Sequence, residues 1–524
     1  MCVLFKFATC NEPGKHLKYN IVKLISENIK RRMGNMQVPA QKPYIKIEVL
    51  YLVAIFFLLQ VFVALLTYTQ AFTFDEAMWQ YIGRNWLRNG LAPYAGGVDN
   101  KSPLIFFVFG LSDKLFGVNY WFPRLIGICF QSSGLYFVYK IARHFSGELS
   151  GILAITIYGL SLLWHATGGK YVSYTESYAI TFIAAAFYYT VAAKNNWHLF
   201  IGGSLAGLGF FFRITAAFGI SAIVIYLLLH KKKSVLLFIA AMMISVGVIS
   251  ILLFFSGINL HDVFVYSVED NFGAGSVTDH PVFWEIDSFF NHVFYSELVL
   301  FLPGLVGYFF IKKKNWIIII WLIAEFAGIS LIGVFSNQHF KNVLPALSII
   351  NAFSITYLKE LYSMHVRPIM IMVWICFFPK ILEPLVTLEK VVAKSVESKS
   401  DYCEETNKLP DDDSKKMLGL WIKANTVNGD QVLVAGYGAI IQAYSERLSP
   451  SIYFNVTQTQ RAKKRFMADI VSNHPKMILV PQSAEYASTV VDDIRKTISE
   501  LTISSYYFTK CMYGYNIYLR KSNN

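Results

Sequence analysis

Apolar and polar positions separate along this chain on the scale of a membrane thickness. Nearly continuous apolar runs fall at about 48–70, 103–116, 120–139, 148–163, 176–193, 198–212, 215–230, 235–256, 293–311, 315–333, 343–358 and 366–386. A helix needs roughly 20 apolar residues to cross a bilayer core, and most of these runs reach or approach that length. The pattern changes beyond about residue 388. There the chain turns polar, with Asp411-Asp412-Asp413 in an expected linker. Short segments follow. Gln431–Gly436, Lys476–Pro481 and Tyr513–Leu519 read as strands, and Phe466–Ile470 as part of a helix. That mixture predicts a small α/β domain. The expected organisation is a basic N-terminus over 1–46, a transmembrane domain over 47–387, a linker over 388–415 and the α/β domain over 416–524.

Basic clusters orient the runs. The N-terminus carries Lys15, Lys18, Lys23, Lys30, Arg31, Arg32, Lys42 and Lys46, and Lys/Arg excess marks cytoplasmic segments. The first helix then exits near Phe72. If 103–116 also spanned, then Lys140, Arg143 and the triplets Lys231-Lys232-Lys233 and Lys312-Lys313-Lys314 would all lie outside. If that short run is instead re-entrant or interfacial, every basic cluster falls inside. The second arrangement predicts about 11 spanning helices (about 11–13 at the limits of the pattern), with the N-terminus in and the C-terminal domain out. The outer loops fall at about 71–119 and 257–292. The pair at 198–230 has a turn of only Arg213-Ile214-Thr215, so one bent element is an alternative that would reverse the parity downstream.

Composition strengthens the membrane reading. The chain of 524 residues is 55% hydrophobic and 15% charged, where a soluble globule carries about 25% charge. The net charge of +13 sits in short clusters between apolar runs, as beside anionic lipid; no zinc-finger spacing or basic-aromatic stripe suggests nucleic acid. The long first run reads as a retained helix, not a cleaved signal. Cys129 and Cys376, inside apolar runs, are expected as small core residues. Cys403 and Cys511, in the outer tail, are free to form a disulfide that spacing alone does not establish.

The orientation brings a set of polar residues to the outer ends of helices. Thr73-Phe74-Asp75-Glu76 places two acids directly after the first helix. Neighbours on a helix point about 100° apart, so one acid can act while the other supports it or binds a metal. Asp99-Asn100-Lys101-Ser102-Pro103 opens the next run, with Ser102 as a candidate N-cap and Pro103 suited to the first turn. Lys101 beside that helix start could hold a phosphate or simply snorkel. Ser173-Tyr174-Thr175-Glu176 fits a capping box, which gives Glu176 a structural explanation beside a site role. Arg213 follows Gly202, Gly203, Gly207 and Gly209, residues that let helices approach closely. His339 and Lys341 stand in the polar stretch Ser336–Asn342 and are candidate phosphate partners. The loop 257–292 mixes acids, His280 and His292 with aromatic residues, without strict metal-ligand spacing.

In order along the chain these motifs resemble the GT-C-fold superfamily of dolichyl-phosphate-mannose–protein mannosyltransferases and bacterial lipid A aminoarabinose transferases. Asp75-Glu76 matches the acidic pair after the first helix. Lys101-Ser102-Pro103 resembles a Lys-Pro-Pro segment, with serine replacing the first proline. Pro123-Arg124-Leu125 after Phe116-Gly117 resembles the arginine that opens a helix. Thr175-Glu176 stands where Thr-Asp is common. Gly207-Leu208-Gly209-Phe210 with Arg213, and His339-Phe340 with Leu344-Pro345, resemble two later segments, phenylalanine replacing tyrosine in the second. The resemblance implies a multi-pass enzyme of the bacterial cytoplasmic membrane. It would move a sugar from a polyprenyl-phosphate donor to an acceptor hydroxyl on a lipid, glycan or protein at the outer face, inverting the anomeric carbon. It implies Asp75 as base and Glu76 as its support. Lys101, Arg213, His339 and Lys341 would hold the donor phosphate, and Asp99 and Glu176 would support the acceptor. Participation of a divalent cation stays open, with Glu76 and Glu176 as the side chains it would use.

Two other classes fit parts of the pattern. A lipid-linked-sugar transporter would need ionisable groups near mid-membrane; Glu325, deep in 315–333, is one, whereas the other acids gather at one face. A non-catalytic membrane scaffold with an outer binding domain would share the same composition.

Overall fold

The computed structural model describes residues 47–67, 70–163, 172–270, 315–332, 337–362, 412–454, 460–482 and 491–521. Residues Met1–Ile47 form a separate unit, of which only Ile47 is described; all that follows concerns the unit Glu48–Asn524.

The chain is largely α-helical. The membrane part runs through α1 (Ile47–Leu66), α2 (Phe74–Leu87), α3 (Pro103–Phe116), α4 (Trp121–Ser146), α5 (Glu148–Leu163), α6 (Thr175–Val191), α7 (Asn196–Phe212), α8 (Ala216–His230) and α9 (Val235–Phe255). A short helix, α10 (Leu260–Phe264), leads into a π-helical turn over Val265–Glu269. After it come α11 (Trp316–Ile332), a 3-10 turn over Asn337–Val343 and α12 (Leu344–Tyr362).

Among the described residues, three helices are long and apolar enough to cross a membrane: Ile47–Leu66, Trp121–Ser146 and Lys232–Phe255. Shorter apolar helices cover Glu148–Leu163, Ala216–His230 and Trp316–Ser330. The expectation of about 11 spans is therefore only partly met. The shortfall has a physical origin. Several apolar runs form helices of 15 to 17 residues, which rise only about 25 Å. The runs at 293–311 and 366–386 lie outside the described residues. The 103–116 run, expected not to span, forms α3 of 14 residues. The pair 198–230 is two helices, separated by Arg213 in an extended conformation.

Helix contacts follow the small residues. A Cβ on Gly83 of α2 would lie 2.4 Å from both Gly110 N and Phe106 O of α3, so the two backbones cross in direct contact. Gly83→Val is expected to push α2 off α3 and cost about 3 kcal/mol or more, read as thermal unfolding in detergent; unchanged stability would contradict this crossing. Asp113 of α3 is buried and receives Gln80 Nε2 of α2 at 2.6 Å and Arg88 Nε, just past the end of α2, at 2.7 Å. In the same way Gly203 seats α7 against Phe238 O of α9. Cys129, expected in the core, is free and exposed: an apolar run does not reveal which face of its helix meets protein.

The C-terminal part is a small α/β domain. It contains α13 (Asp412–Asn425), β1 (Val432–Val434), α14 (Ala439–Ser445), α15 (Gln460–Asn473), β2 (Met477–Pro481), α16 (Val491–Ser505), β3 (Tyr506–Met512) and β4 (Tyr515–Arg520). Asp412 and Asp413, read as linker on sequence, open α13, where acids favour the positive helix end. The sheet order is β1-β2-β4-β3; β1 and β2 are parallel, the other pairs antiparallel. Strand alternation sends Val432, Val434, Met477 and Leu479 to one face with Leu418 and Ile422 of α13. Leu433 and Ile478 face Phe466 and Ile470 of α15 and Ile498 of α16 on the other. Cys511 of β3 is disulfide-bonded; Cys403 lies outside the described residues.

This domain docks on α2. Arg84, buried, donates to Ala443 O at 2.7 Å and Gln442 O at 3.1 Å, satisfying carbonyls at the end of α14. Tyr81 OH accepts from Ser449 N at 2.9 Å, and the Tyr81 ring packs on Phe454 at 4.2 Å. Tyr444 OH accepts from Phe72 N at 3.2 Å, and Asp413 Oδ1 from Ala71 N at 3.2 Å. The helix with the acidic pair at its head is thus held by α3 and by the C-terminal domain.

Candidate active site

The first turn of α2 sends its two acids in different directions. Glu76 turns inward. The Thr73 N–H and hydroxyl donate to Glu76 Oε2 at 3.2 and 3.1 Å, completing a Thr-x-x-Glu capping box. Arg124, in the first turn of α4, takes both carboxylate oxygens, Nε to Oε1 at 2.8 Å and Nη2 to Oε2 at 2.6 Å. Its Nη1 donates to Thr67 Oγ1 at 2.8 Å, and its guanidinium lies 4.0 Å from the Tyr120 ring centre. Glu76 and Arg124 are both buried. One ion pair therefore joins the end of α1, the start of α2 and the start of α4.

Asp75 is only partly covered, and among the described residues no hydrogen bond or ion pair holds its carboxylate. Protein nevertheless surrounds it closely. Burial raises its pKa from 3.8 to about 6; Lys101 opposes this, while Asp99, Glu176 and Glu76 push it further up. Such a group is ionised at neutral pH and basic enough to take a proton.

Asp99 and Lys101 come from the segment entering α3. Trp79 Nε1 donates to Asp99 Oδ2 at 2.8 Å, and Asn100 N to Oδ1 at 2.7 Å. Lys101 Nζ donates to Asn100 Oδ1 at 2.5 Å, and its charge acts on Asp75. Pro103 starts α3 behind Ser102, as the sequence predicts, although the Ser102 side chain makes no capping bond.

Glu176, Arg213 and His339 converge from three elements. Arg213 Nη1 donates to Glu176 Oε1 in a short ion pair. His339 Nδ1 lies 2.8 Å from the same oxygen and 3.0 Å from Arg213 Nη2. Arg213 Nε donates to Thr215 Oγ1 at 2.6 Å, and Thr175 Oγ1 to Glu176 Oε2 at 3.0 Å. Burial lowers the His339 pKa, Arg213 lowers it further and Glu176 opposes both, which favours the neutral ring. Nδ1 can then donate to Glu176 or accept from Arg213, but not both. The capping box read at Ser173–Glu176 does not form: Ser173 Oγ pairs instead with Tyr178 OH at 2.6 Å, and Tyr174 is the N-cap.

Lys341 is fully buried, 5.7 Å from the Tyr174 ring centre. Burial lowers its pKa to about 8 against the pull of Glu176, so it is cationic at neutral pH but close to titration. Electrostatics link the set: Asp75 feels Lys101, Asp99 and Glu176; His339 feels Lys101; Lys341 feels Glu176. The structure thus gathers Asp75, Glu76, Asp99, Lys101, Glu176, Arg213, His339 and Lys341 into one neighbourhood, from segments more than 200 residues apart in the chain.

Sequence reasoning assigned no part to Trp79, Tyr94 or Tyr174 and no partner to Arg124. For Arg124 a signal existed: Thr73-Phe74-Asp75-Glu76 fits a capping box, which turns Glu76 toward the protein. Of the loop 257–292, only the part to Asp270 is described; Asp270 Oδ1 pairs with Arg461 Nη2 of α15 at 2.7 Å. Glu76 and Glu176, the side chains expected to hold a divalent ion, do not fit one. Arg124 occupies both oxygens of Glu76, and Arg213, His339 and Thr175 surround Glu176. Among the described residues no three His, Cys, Asp or Glu side chains gather as metal ligands.

Comparison with known proteins adds the following. Residues 100–258 match the dolichyl-phosphate-mannose-protein mannosyltransferase family model. No curated protein matches the sequence. Among solved structures, ArnT from Cupriavidus metallidurans in the apo state superposes with a TM-score of 0.60 at 13% identity, covering 90% of this chain and 97% of that one. The same protein bound to undecaprenyl phosphate gives 0.56 at 14% identity, covering 91% and 98%. Archaeal oligosaccharyltransferase AglB from Archaeoglobus fulgidus, in complex with an inhibitory peptide and a dolichol-phosphate, gives 0.52 at 12% identity, covering 91% and 74%.

Proposed function

From a chain that has the GT-C fold, related at the superfamily level to ArnT, AglB and the protein mannosyltransferases, we propose a glycosyltransferase that uses a polyprenyl-phosphate sugar and an acceptor hydroxyl. The observation that carries this reading is the Asp75 carboxylate, unpaired among the described residues, with its pKa raised by burial to about 6 and the charge of Lys101 acting on it.

In the reaction, the acceptor oxygen attacks the anomeric carbon while Asp75 takes its proton. The bond from that carbon to the phosphate oxygen breaks, and its electron pair leaves with the polyprenyl phosphate. A single displacement inverts the anomeric centre. Lys101 and Lys341, with Arg213 and His339 behind them, stabilise the leaving phosphate. Glu76 fixes the head of α2 through Arg124, so that Asp75 keeps its place. Asp99 and Glu176 orient the acceptor side. A lipid donor keeps its tail in the bilayer, where burial is favourable, and offers only its head group to these residues.

For topology, we favour about 11 spans with the N-terminus inside and the α/β domain outside, in a bacterial cytoplasmic membrane. The oxidised Cys511 supports an extracytoplasmic placement of that domain.

The test is a panel of radiolabelled polyprenyl-phosphate sugars, supplied to purified protein with host membrane extract. The expected result is label on an acceptor together with free polyprenyl phosphate. Label crossing a vesicle bilayer on intact donor would instead identify a transporter. Activity should also follow pH in a set way. Asp75 must be ionised, so kcat/KM rises as pH passes about 6. Lys341 must be charged, so it falls as pH passes about 8. An acid limb near pH 4 would contradict the raised pKa of Asp75, and an acid limb unchanged in Asp75→Asn would remove it from the base role.

A further inference from the structure

We propose that Tyr94 and Ser267 are positioning residues that clamp the backbone of Lys101 and so hold its ammonium beside Asp75. The inference rests on the donor-phosphate role proposed for Lys101.

Tyr94 occupies an unusual backbone state. Its φ is 69°, in the left-handed region that bulky L-residues avoid. Such a conformation persists only where its surroundings over-determine it, and it concentrates at functional sites. The surroundings here are specific. Tyr94 is buried, and its N–H donates to Gly97 O at 2.9 Å. Its hydroxyl donates to Lys101 O at 2.7 Å and lies 3.0 Å from Ser267 Oγ. Ser267 Oγ also donates to Lys101 O at 3.0 Å. Two hydroxyls, from segments far apart in sequence, therefore converge on one carbonyl oxygen.

Both arms of the clamp are braced. Ser267 lies in the π-helical turn Val265–Glu269, a geometry frequent at functional sites. Tyr266 of that turn stacks on Tyr94, rings 5.4 Å apart at 14°. Arg461 of α15 lies 5.3 Å from the Tyr266 ring centre and pairs with Asp270. A continuous path of contacts thus runs from the outer domain through Tyr266 and Tyr94 to Lys101. Ordinary loop packing needs the rings of this path but not the two hydroxyls on the Lys101 carbonyl, and that difference is testable.

Tyr94→Phe keeps the ring and the stack and removes the hydroxyl; Ser267→Ala removes the second arm. Each variant is compared with wild type in three readouts. The first is the reaction of Lys101 with trace acetic anhydride, relative to exposed Lys464, followed by mass spectrometry. The second is KM for the polyprenyl-phosphate sugar against kcat. The third is the acid limb of kcat/KM. The expected results for Tyr94→Phe are at least threefold faster Lys101 labelling, a KM roughly fivefold higher with kcat within twofold, as for loss of one hydrogen bond, and an acid limb moved above pH 6. The limb moves because Lys101 is the charge that holds Asp75 down. Ser267→Ala should shift all three in the same direction. Unchanged Lys101 labelling in both variants overturns the inference, whatever happens to KM. Changed labelling with unchanged KM and acid limb leaves the clamp standing and removes Lys101 from donor binding. Absence of transfer by wild type fails the proposed function alone, since the labelling does not depend on activity.

Discussion

Asp75→Asn is expected to lower transfer by about a thousandfold, as loss of a well-placed general base does, while folding and donor binding survive. The amide is nearly isosteric but cannot accept the acceptor's proton. Its effect on stability should have the opposite sign. The pKa of Asp75 is raised from 3.8 to about 6 by burial. For an acid with a raised folded pKa, stability is greatest while the group is protonated. It is lost as pH rises from about 4 through 6. At pH 7.5 the ionised side chain therefore works against the fold, and the neutral variant should unfold slightly later, by about 1 kcal/mol after discounting for its contact with water. Transfer assays and thermal unfolding in detergent at pH 5 and 7.5 check both halves. The gain should shrink to roughly half at pH 5, between the unfolded and folded pKa values, and vanish only below about pH 4. Wild-type activity in Asp75→Asn would remove the base role; a less stable variant at pH 7.5 would contradict the environment described for the carboxylate.

The neighbouring acid should behave in the reverse manner. Glu76→Gln leaves Arg124 buried without its counter-charge, and breaking a buried pair from one side costs about 3–5 kcal/mol. Three helix ends meet at this pair, so the loss should appear as lowered thermal stability and poor recovery of folded protein. Activity should fall with the folded fraction. Adding Arg124→Met to Glu76→Gln removes the stranded charge and should restore much of the stability. A single variant as stable as wild type would show that the pair is not the joint described here. A destabilised single variant with no recovery in the double variant would place the cost outside the stranded charge of Arg124, since glutamine also serves the Thr73 cap.

The contrast between Asp75 and Glu76 shows where the sequence is sufficient and where it is not. Apolar run length and basic clusters determined that this is a multi-pass helical protein, that a short helix follows the first span and that a small α/β domain closes the chain. These are properties of local composition, since a run of apolar side chains must leave water whatever its neighbours do. Strand alternation in Val432–Val434 and Met477–Pro481 was legible for the same reason. The residues that the structure gathers were also named on the sequence, because the expected orientation puts them at the same ends of the helices. Their partners were not. Both Thr73–Glu76 and Ser173–Glu176 carry the capping-box spacing, yet only the first forms the box. Arg124 in one case and Arg213 with His339 in the other complete the environments of the two glutamates, and each arrives from a distant helix. Cys129 and Tyr94 make the same point: which face of a helix meets lipid, and which strained backbone is held, depends on neighbours remote in sequence. Only the tertiary structure leaves Asp75 without a partner among the described residues while pairing Glu76, because burial and electrostatics are sums over every surrounding residue, not properties of a local pattern.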